Sequence, residues 1–422
     1  MSEKKISESL PLLAIQDFMI RNMESGNTFE SSRRELYNSG IKTSFDEDRV
    51  IFSTIHSYKN QTNNILLQEC NGLILDKKTW NPLVVPPRSL RFNIETNKSN
   101  RFLIQGLYHI YLSDDGTCFN LYYWNNKWII STTSGYEMNN IKWDEKQTYQ
   151  ELISECLDNR GYTWETFTEL LDVKNCYSFG FKHPKLHKFS HNDSSIYKIW
   201  HIQSINLDNT SIHYMWSQDK SPIYNIVDQQ LYYKSVDNIK DLYNIASNAL
   251  NNYISGVDRE PCYGFILRSV NFRLTGQNSD LFIESSLMRT IRKIWYENKF
   301  INTCRLNKWN IETAVTLRAY MNGNLRNTFI SLFPGYKQEF NMYKSSVSSV
   351  VNCMINTIEK KEEKTDVKYE EVSKILLDYF NNNIEYNINN KNTEQKLRVL
   401  TEYVNHHSNL EYLMLLFNPI VN

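Results

Sequence analysis

Leu112-Ser113-Asp114-Asp115-Gly116-Thr117 joins two apolar runs, Tyr108–Leu112 and Phe119–Trp124, and the reading of the whole chain turns on it. Asp suits a tight turn because its carboxylate can bond to nearby backbone N–H groups, and Gly because it lacks a Cβ. The spacing therefore predicts a strand, a turn and a second strand. Similar short runs lie on either side: Leu73-Ile74-Leu75, Leu83-Val84-Val85 and Trp128–Ser131. The turns between them carry Asp76-Lys77-Lys78 and Asn125-Asn126-Lys127. Two runs about a tight Asn-rich turn predict a hairpin, and the repetition predicts an antiparallel sheet.

Further along, Tyr149, Leu152, Ile153, Cys156 and Leu157 repeat at helical spacing, so residues 143–172 are expected to be helical. Strands are expected at Cys176–Phe181, Ile196–Ile205, Ser211–Trp216, Tyr263–Ser269 and Leu281–Glu284, with a helix near 237–254. After Ser286 the pattern is almost purely helical. Glu359-Lys360-Lys361-Glu362-Glu363-Lys364 predicts a solvated helix end. The order of elements is α+β. It divides into an N-terminal helical region (1–50), an antiparallel-sheet domain (51–286) and a helical C-terminal domain (287–422), with no internal repeat.

A chain of 422 residues with 27 Tyr, 20 Phe and 9 Trp can bury a sizeable core. The 47 Lys+Arg balance 47 Asp+Glu, which lacks the basic surplus of strong non-specific nucleic-acid binders and leaves any basic groove local. Seven cysteines without a C-x-x-C pair fit reduced thiols better than a disulfide framework or zinc site. The N-terminus is polar and no apolar run reaches about 18 residues, so a cytoplasmic location without a membrane segment is expected. Heavy use of Asn, Ile, Lys and Tyr is typical of AT-rich genomes.

A series of local motifs adds what composition cannot. Gln68-Glu69-Cys70-Asn71-Gly72-Leu73-Ile74-Leu75-Asp76, Pro86–Glu95, Ser113–Thr117, Leu121–Gly135, Phe179-Gly180-Phe181 with Pro184, Tyr263-Gly264-Phe265-Ile266, Leu281–Ser285 and Ile330–Lys337 follow one another in order. In order and spacing the set resembles the phage T4-type RNA ligase family of covalent nucleotidyltransferases, some of which are encoded by viruses, over residues 65–345. The resemblance implies an RNA-ligase-like nucleotidyltransferase domain followed by helices. In that family the lysine of a Lys-x-Asp-Gly motif attacks ATP and carries AMP. An arginine and a Lys-x-Lys pair hold phosphate charge. Two glutamates organise nucleotide and Mg²⁺, and AMP passes to an RNA 5′-phosphate.

Against that pattern the chain keeps the frame and changes the chemistry. Ser113 stands for the lysine, while Asp115 and Gly116 match. Asn71 stands for the arginine, Gly180 for the glutamate of Phe-Glu-Phe, and Tyr263 for the glutamate of Glu-Gly. Glu284 lies where a lysine is expected. The resemblance thus implies an RNA-ligase-like protein that is catalytically inactive and kept to bind RNA, a nucleotide or a protein partner, with no cofactor and no metal. Two alternatives stand beside it. One is an active ATP- and Mg²⁺-dependent RNA ligase using a displaced lysine such as Lys127, Lys182 or Lys185. The other is a structural or regulatory protein-binding subunit.

Three local features complete the reading. Lys182-His183-Pro184-Lys185-Leu186-His187-Lys188 is the most basic stretch, and Lys182, Lys185 and Lys188 with Arg91 are the candidates for RNA contact. Its competing reading is an exposed strand edge whose lysines discourage pairing. Asp76 with Asp114 and Asp115 could form an acidic metal cluster, against the simpler reading of two turns. Ser113 lies in no Gly-x-Ser-x-Gly elbow, which argues against a hydrolase.

Overall fold

The computed structural model describes residues 13–55, 64–92, 108–142, 147–184, 197–207, 213–216, 222–230, 239–258, 261–269, 280–295, 297–361, 367–383, 391–405 and 410–417. The chain forms two compact units. One comprises Met1–Lys188 with Asp193–Met288, the other Arg289–Asn422 with Phe189–Asn192. The architecture is α+β, with antiparallel sheets in the first unit and helices in the second.

The first unit opens with α1 (Ala14–Glu24) and α2 (Phe29–Asn38), then a four-stranded meander of β1 (Ile41–Phe45), β2 (Arg49–Thr54), β3 (Asn71–Asp76) and β4 (Pro82–Val84). Residues 14–45, expected as a separate helical region, are thus part of this unit: β1 and β2 pair, β2 pairs with β3, and Ile15, Met19 and Leu36 enter the same core as Leu73–Leu75. The short helix α3 (Ile65–Glu69) precedes β3. Glu69 is buried, and its Oε2 accepts from the backbone N–H of Ala14 at 2.7 Å. That carboxylate serves as the cap α1 lacks from its own Leu13, satisfying an N–H group the helix cannot bond internally.

A second sheet holds β5 (Arg91–Phe92), β6 (Tyr108–Leu112), β13 (Gly264–Ser269) and β14 (Leu281–Glu284) in the order β5-β14-β13-β6. Helix α6 (Ile239–Ile254) covers it with Leu242 and Ala246. The third sheet runs β11-β10-β9-β7-β8, with β12 (Asp228–Gln229) beside β10. Its strands are β7 (Thr117–Trp124), β8 (Lys127–Ser131), β9 (Asn175–Lys182), β10 (Lys198–Asn206) and β11 (His213–Trp216). The expected hairpin is β7–β8, with Asn125 and Asn126 both at positive φ (49° and 60°), the conformation a two-residue hairpin turn needs.

Because strand residues alternate in direction, the third sheet separates two environments. Phe119, Leu121, Phe179, Phe181 and Ile199 face a core with α4 (Tyr149–Asp158) and α5 (Trp164–Thr168). These two helices stand where one helical stretch over 143–172 was expected. The chain breaks between them at Gly161 (φ +81°), and Thr163 caps the second. The opposite face carries Cys118, Asn120, Gly180 and Trp200, and it is the face that matters below.

The second unit contains, after α7 (Ser286–Trp295) and α8 (Asn298–Leu306), helix α9 (Ile311–Met321), buried on nearly every side from Ala314 to Met321. Trp295, Phe329, Phe333 and Tyr336 form an aromatic cluster around the Leu332–Lys337 segment, with Trp295 5.7 Å from both phenylalanine rings. The long α11 (Lys337–Glu359), which follows α10 (Gly323–Leu332), ends where the charged run begins, with Lys360 left-handed at φ 53°. Among the described residues no helix is long and apolar enough to cross a membrane.

Candidate functional site

Ser113 leaves β6 beside β13: its backbone N–H donates to the carbonyl of Gly264 at 2.9 Å. Gly264 in turn pairs with Glu284 across β13–β14, and buried Tyr263 precedes it. Three positions singled out in the sequence, Ser113, Tyr263 and Glu284, therefore meet at one set of strand ends. None of them supplies an amine there. Asp114 takes a different course. Its Oδ1 accepts from the backbone N–H of Asp115 at 2.9 Å, and its Oδ2 pairs with the Nζ of Lys198 at the start of β10. Asp76 spends its carboxylate on the backbone and hydroxyl of its own turn, at Lys78 and Thr79. The three aspartates are thus not gathered into a metal cluster. Among the described residues no three His, Cys, Asp or Glu side chains form one.

The centre of the site is a single row across three strands. Cys118 on β7 stands opposite Gly180 on β9, and Gly180 opposite Trp200 on β10. The indole of Trp200 lies over Gly180 so closely that a Cβ at 180 would sit 2.2 Å from its Cε2 and Cζ2. The same ring reaches Gly116, where a Cβ would meet Cη2 at 2.4 Å and the carbonyl oxygen of Phe181 at 2.6 Å. Carbon atoms in contact sit near 3.5–4.0 Å, so both positions exclude any side chain while Trp200 stays. Trp200 is only 5% exposed, and the Lys198 ammonium stands 5.5 Å from its ring centroid.

Next to this row lies a cavity of about 260 Å³, lined by Asn71, Arg88, Asp114, Cys118, Asn120 and Arg268 together with Trp200. That is smaller than the roughly 300–1,000 Å³ of typical small-molecule sites. Asn71 does not reach into it as a long cation would; its Nδ2 donates to the carbonyl of Pro87 at 3.2 Å. Two arginines line the wall instead. Arg88 Nη2 and Arg268 Nη1 each lie 2.8 Å from one oxygen of Asp280, which is 1% exposed. Arg268 Nη1 also donates to the carbonyl of Arg88 at 3.3 Å. Burial pushes the nearby Tyr108 hydroxyl up to about 12, with Asp280 adding to the effect. Cys118 touches the cavity's water, yet desolvation by its surroundings raises its thiol, against the opposing pull of Arg268.

The residues present do not fit ATP and Mg²⁺ as the family's pattern requires. Ser113 offers no amine, Gly180 offers no carboxylate, and Trp200 covers the place where one would project. Glu284, not a lysine, closes β14. The candidate RNA contacts are distributed differently from the expected basic patch. Lys182 is the last residue of β9 and only 4% exposed, so its side chain lies inside the fold rather than on an open edge. Arg91 has its backbone in β5, paired with Leu281. Lys185 and Lys188 lie outside the described residues.

Arg88, Arg268, Asp280, Lys198 and Trp200 carry the site's character and were not singled out from sequence. The one available signal was charge within an apolar strand, as in Phe265-Ile266-Leu267-Arg268.

No family model matches the sequence. Among curated proteins, the chain is 28% identical over 359 residues to a protein named "Putative RNA-ligase" of African swine fever virus (strain Badajoz 1971 Vero-adapted), covering 79% of this chain and 76% of that one. It is 27% identical over 356 residues, with the same coverage, to the protein of that name from the Pretoriuskop isolate. Among solved structures, an archaeal ATP-dependent RNA ligase aligns with 68% of this chain and 72% of its own at a TM-score of 0.39 and 7% identity. A Naegleria gruberi RNA ligase with PPi aligns with 45% and 52% at 0.31 and 7%.

Proposed function

We propose that this chain, an RNA-ligase-like protein with relatives in a large DNA virus, has lost nucleotidyl transfer and is retained to bind RNA. The observation that carries the reading is the seating of Trp200 on Gly180 and Gly116. It fills the place where a carboxylate would project from position 180, so losing that group and filling its space are one structural change. Ser113 adds the second half of the argument. A serine hydroxyl there has no described general base beside it and cannot form the phosphoramidate that a lysine forms. Loss of a covalent nucleophile removes several orders of magnitude in rate, which neighbours do not replace.

RNA is favoured over a purely protein partner because the cavity wall presents guanidinium and amide groups, the donors that recognise phosphate and base edges. Titration of a single-stranded oligoribonucleotide against the intact protein over a range of salt concentrations tests this. The expected result is binding that weakens steadily with salt, as phosphate contacts release counterions. Absence of binding at low salt would contradict it.

A specific contact favours a second reading. Lys198 brings an amine to Asp114, beside Ser113, so a working ligase with a displaced nucleophile would use Lys198 rather than Lys127, Lys182 or Lys185. Under that reading ATP would label the protein and Lys198→Met would abolish the label.

A further inference from the structure

Arg268 is 5% exposed, yet it uses one nitrogen for all its bonds: Nη1 serves both Asp280 and the carbonyl of Arg88. Its Nη2 and Nε bond to none of the described residues, and the side chain lines the cavity. Asn120, also 5% exposed, shows the same arrangement. Its Oδ1 accepts from the Ser178 hydroxyl at 2.7 Å, which leaves its Nδ2 to the cavity it lines. A buried donor without a partner costs about 1–3 kcal/mol, more when charged. Two such donors facing one small cavity describe a site built for an acceptor. Asp280 cannot be that acceptor in full, since its two oxygens are divided between Arg88 and Arg268.

The chemistry of the acceptor follows from the wall. A guanidinium with two donors left in its plane matches the oxygens of a phosphate bidentately. The other acid that lines the cavity, Asp114, is held by Lys198 and so does not occupy Arg268. Cys118 and Asn120 project on the same face of β7, two residues apart or about 7 Å, which sets the scale of the seat near that of one phosphate group. The cavity is below the usual range for a small-molecule site, and Trp200 bounds it.

The geometry points to Arg268 and Asn120 as the seat of a single phosphate monoester. Two sources carry that group, the 5′-phosphorylated end of an RNA and a free phosphate or mononucleotide. This deepens the RNA-binding reading and rests on it for the first source only.

The test uses the full chain. Binding of a 5′-phosphorylated oligoribonucleotide is compared with that of the same oligonucleotide bearing a 5′-hydroxyl, at fixed salt, for the wild type and Arg268→Gln. In parallel, the rate of Cys118 alkylation in the wild type is followed with inorganic phosphate or AMP added. Cys118 is exposed to the cavity and so reports its occupancy without any substitution.

The expected result is about tenfold or tighter binding of the phosphorylated end, lost in Arg268→Gln, with phosphate or AMP slowing alkylation. Equal binding of the two ends and unprotected Cys118 would overturn the phosphate seat while leaving RNA binding intact. If neither RNA binds but phosphate or AMP protects Cys118, the seat stands with the free anion as its source, and the RNA reading falls. If nothing binds and nothing protects, both fall. Should Arg268→Gln fail to fold, the comparison of ends and the alkylation rates decide between the same outcomes in the wild type alone.

Discussion

Trp200 lies on Gly180 across the β10–β9 pair, close enough that a methyl group at 180 would sit 2.2 Å from two atoms of the indole. The two residues are therefore one unit: the glycine is permissive because the tryptophan occupies its space. A side chain returned to 180 must displace the ring, and a smaller residue at 200 must leave a hole.

That unit sets the first expectation. Gly180→Glu should destabilise the protein by overpacking, by about 1–3 kcal/mol or more, and Trp200→Ala by about 3–5 kcal/mol through its cavity. Combined, they should cost at least about 1 kcal/mol less than their sum, because each relieves the other. Urea unfolding of the four proteins measures this. Strict additivity would mean that the two side chains do not share space.

Arg49 joins the first and third sheets. Its guanidinium bonds to Asp46, Glu137 and the Tyr122 hydroxyl, and lies 4.9 Å from the Tyr136 ring centroid. Arg49→Ala should cost about 2–3 kcal/mol. That is below the roughly 3–5 kcal/mol of a broken buried pair because Asp46 and Glu137 keep contact with water. Denaturant unfolding midpoints at low and high salt check it; a change within about 0.5 kcal/mol would contradict it.

His201 gives a pH dependence. It is 2% exposed, bonded to Tyr224 and Ser204, and burial holds it down at about 4, below its usual 6.5. The unfolded chain takes up a proton near 6.5 and the folded one resists it until about 4. The stability associated with neutral His201 is therefore complete above pH 6.5 and is lost as pH falls toward 4, by up to roughly 3 kcal/mol. His109 is shifted in the same direction, so the informative quantity is the difference between wild type and His201→Gln. Unfolding free energies from pH 7 to pH 4.5 should fall less steeply in the variant; parallel curves would contradict the assignment.

Restoring the motif lysine alone should not restore chemistry. In Ser113→Lys the new amine would face Tyr263 and Glu284 at the strand ends, with Trp200 still seated on Gly180. Incubation with labelled ATP and Mg²⁺ is expected to give no adduct. An adduct would show that the nucleophile was the one missing part.

The sequence made the frame legible for physical reasons. Alternating apolar runs and turn residues around 71–85 and 108–131 report strand periodicity, and Asn125-Asn126 reports a turn needing positive φ. The motif order placed Ser113, Asn71, Gly180, Tyr263 and Glu284 on the right elements, and the structure brings Ser113, Tyr263 and Glu284 together. What stayed hidden depends on contacts distant in sequence. Arg88 and Arg268 share Asp280 across 192 and 12 residues of chain, and no local pattern announces such a cluster. Trp200 reads as an ordinary core aromatic until the register sets it opposite Gly180. Glu69 resembles part of a motif and turns out to cap α1. Lys182 reads as surface charge because it sits among basic residues, but strand β9 carries it inside.

The central claim is that no covalent nucleotide intermediate forms on this chain. Purified full-length protein is incubated with α-labelled ATP and Mg²⁺ or Mn²⁺, denatured, separated and counted, with an active RNA ligase labelled in parallel. The expected result is no protein-bound label while the control labels. A stable adduct on the wild type, mapped to Lys198 or any other lysine, would contradict the account.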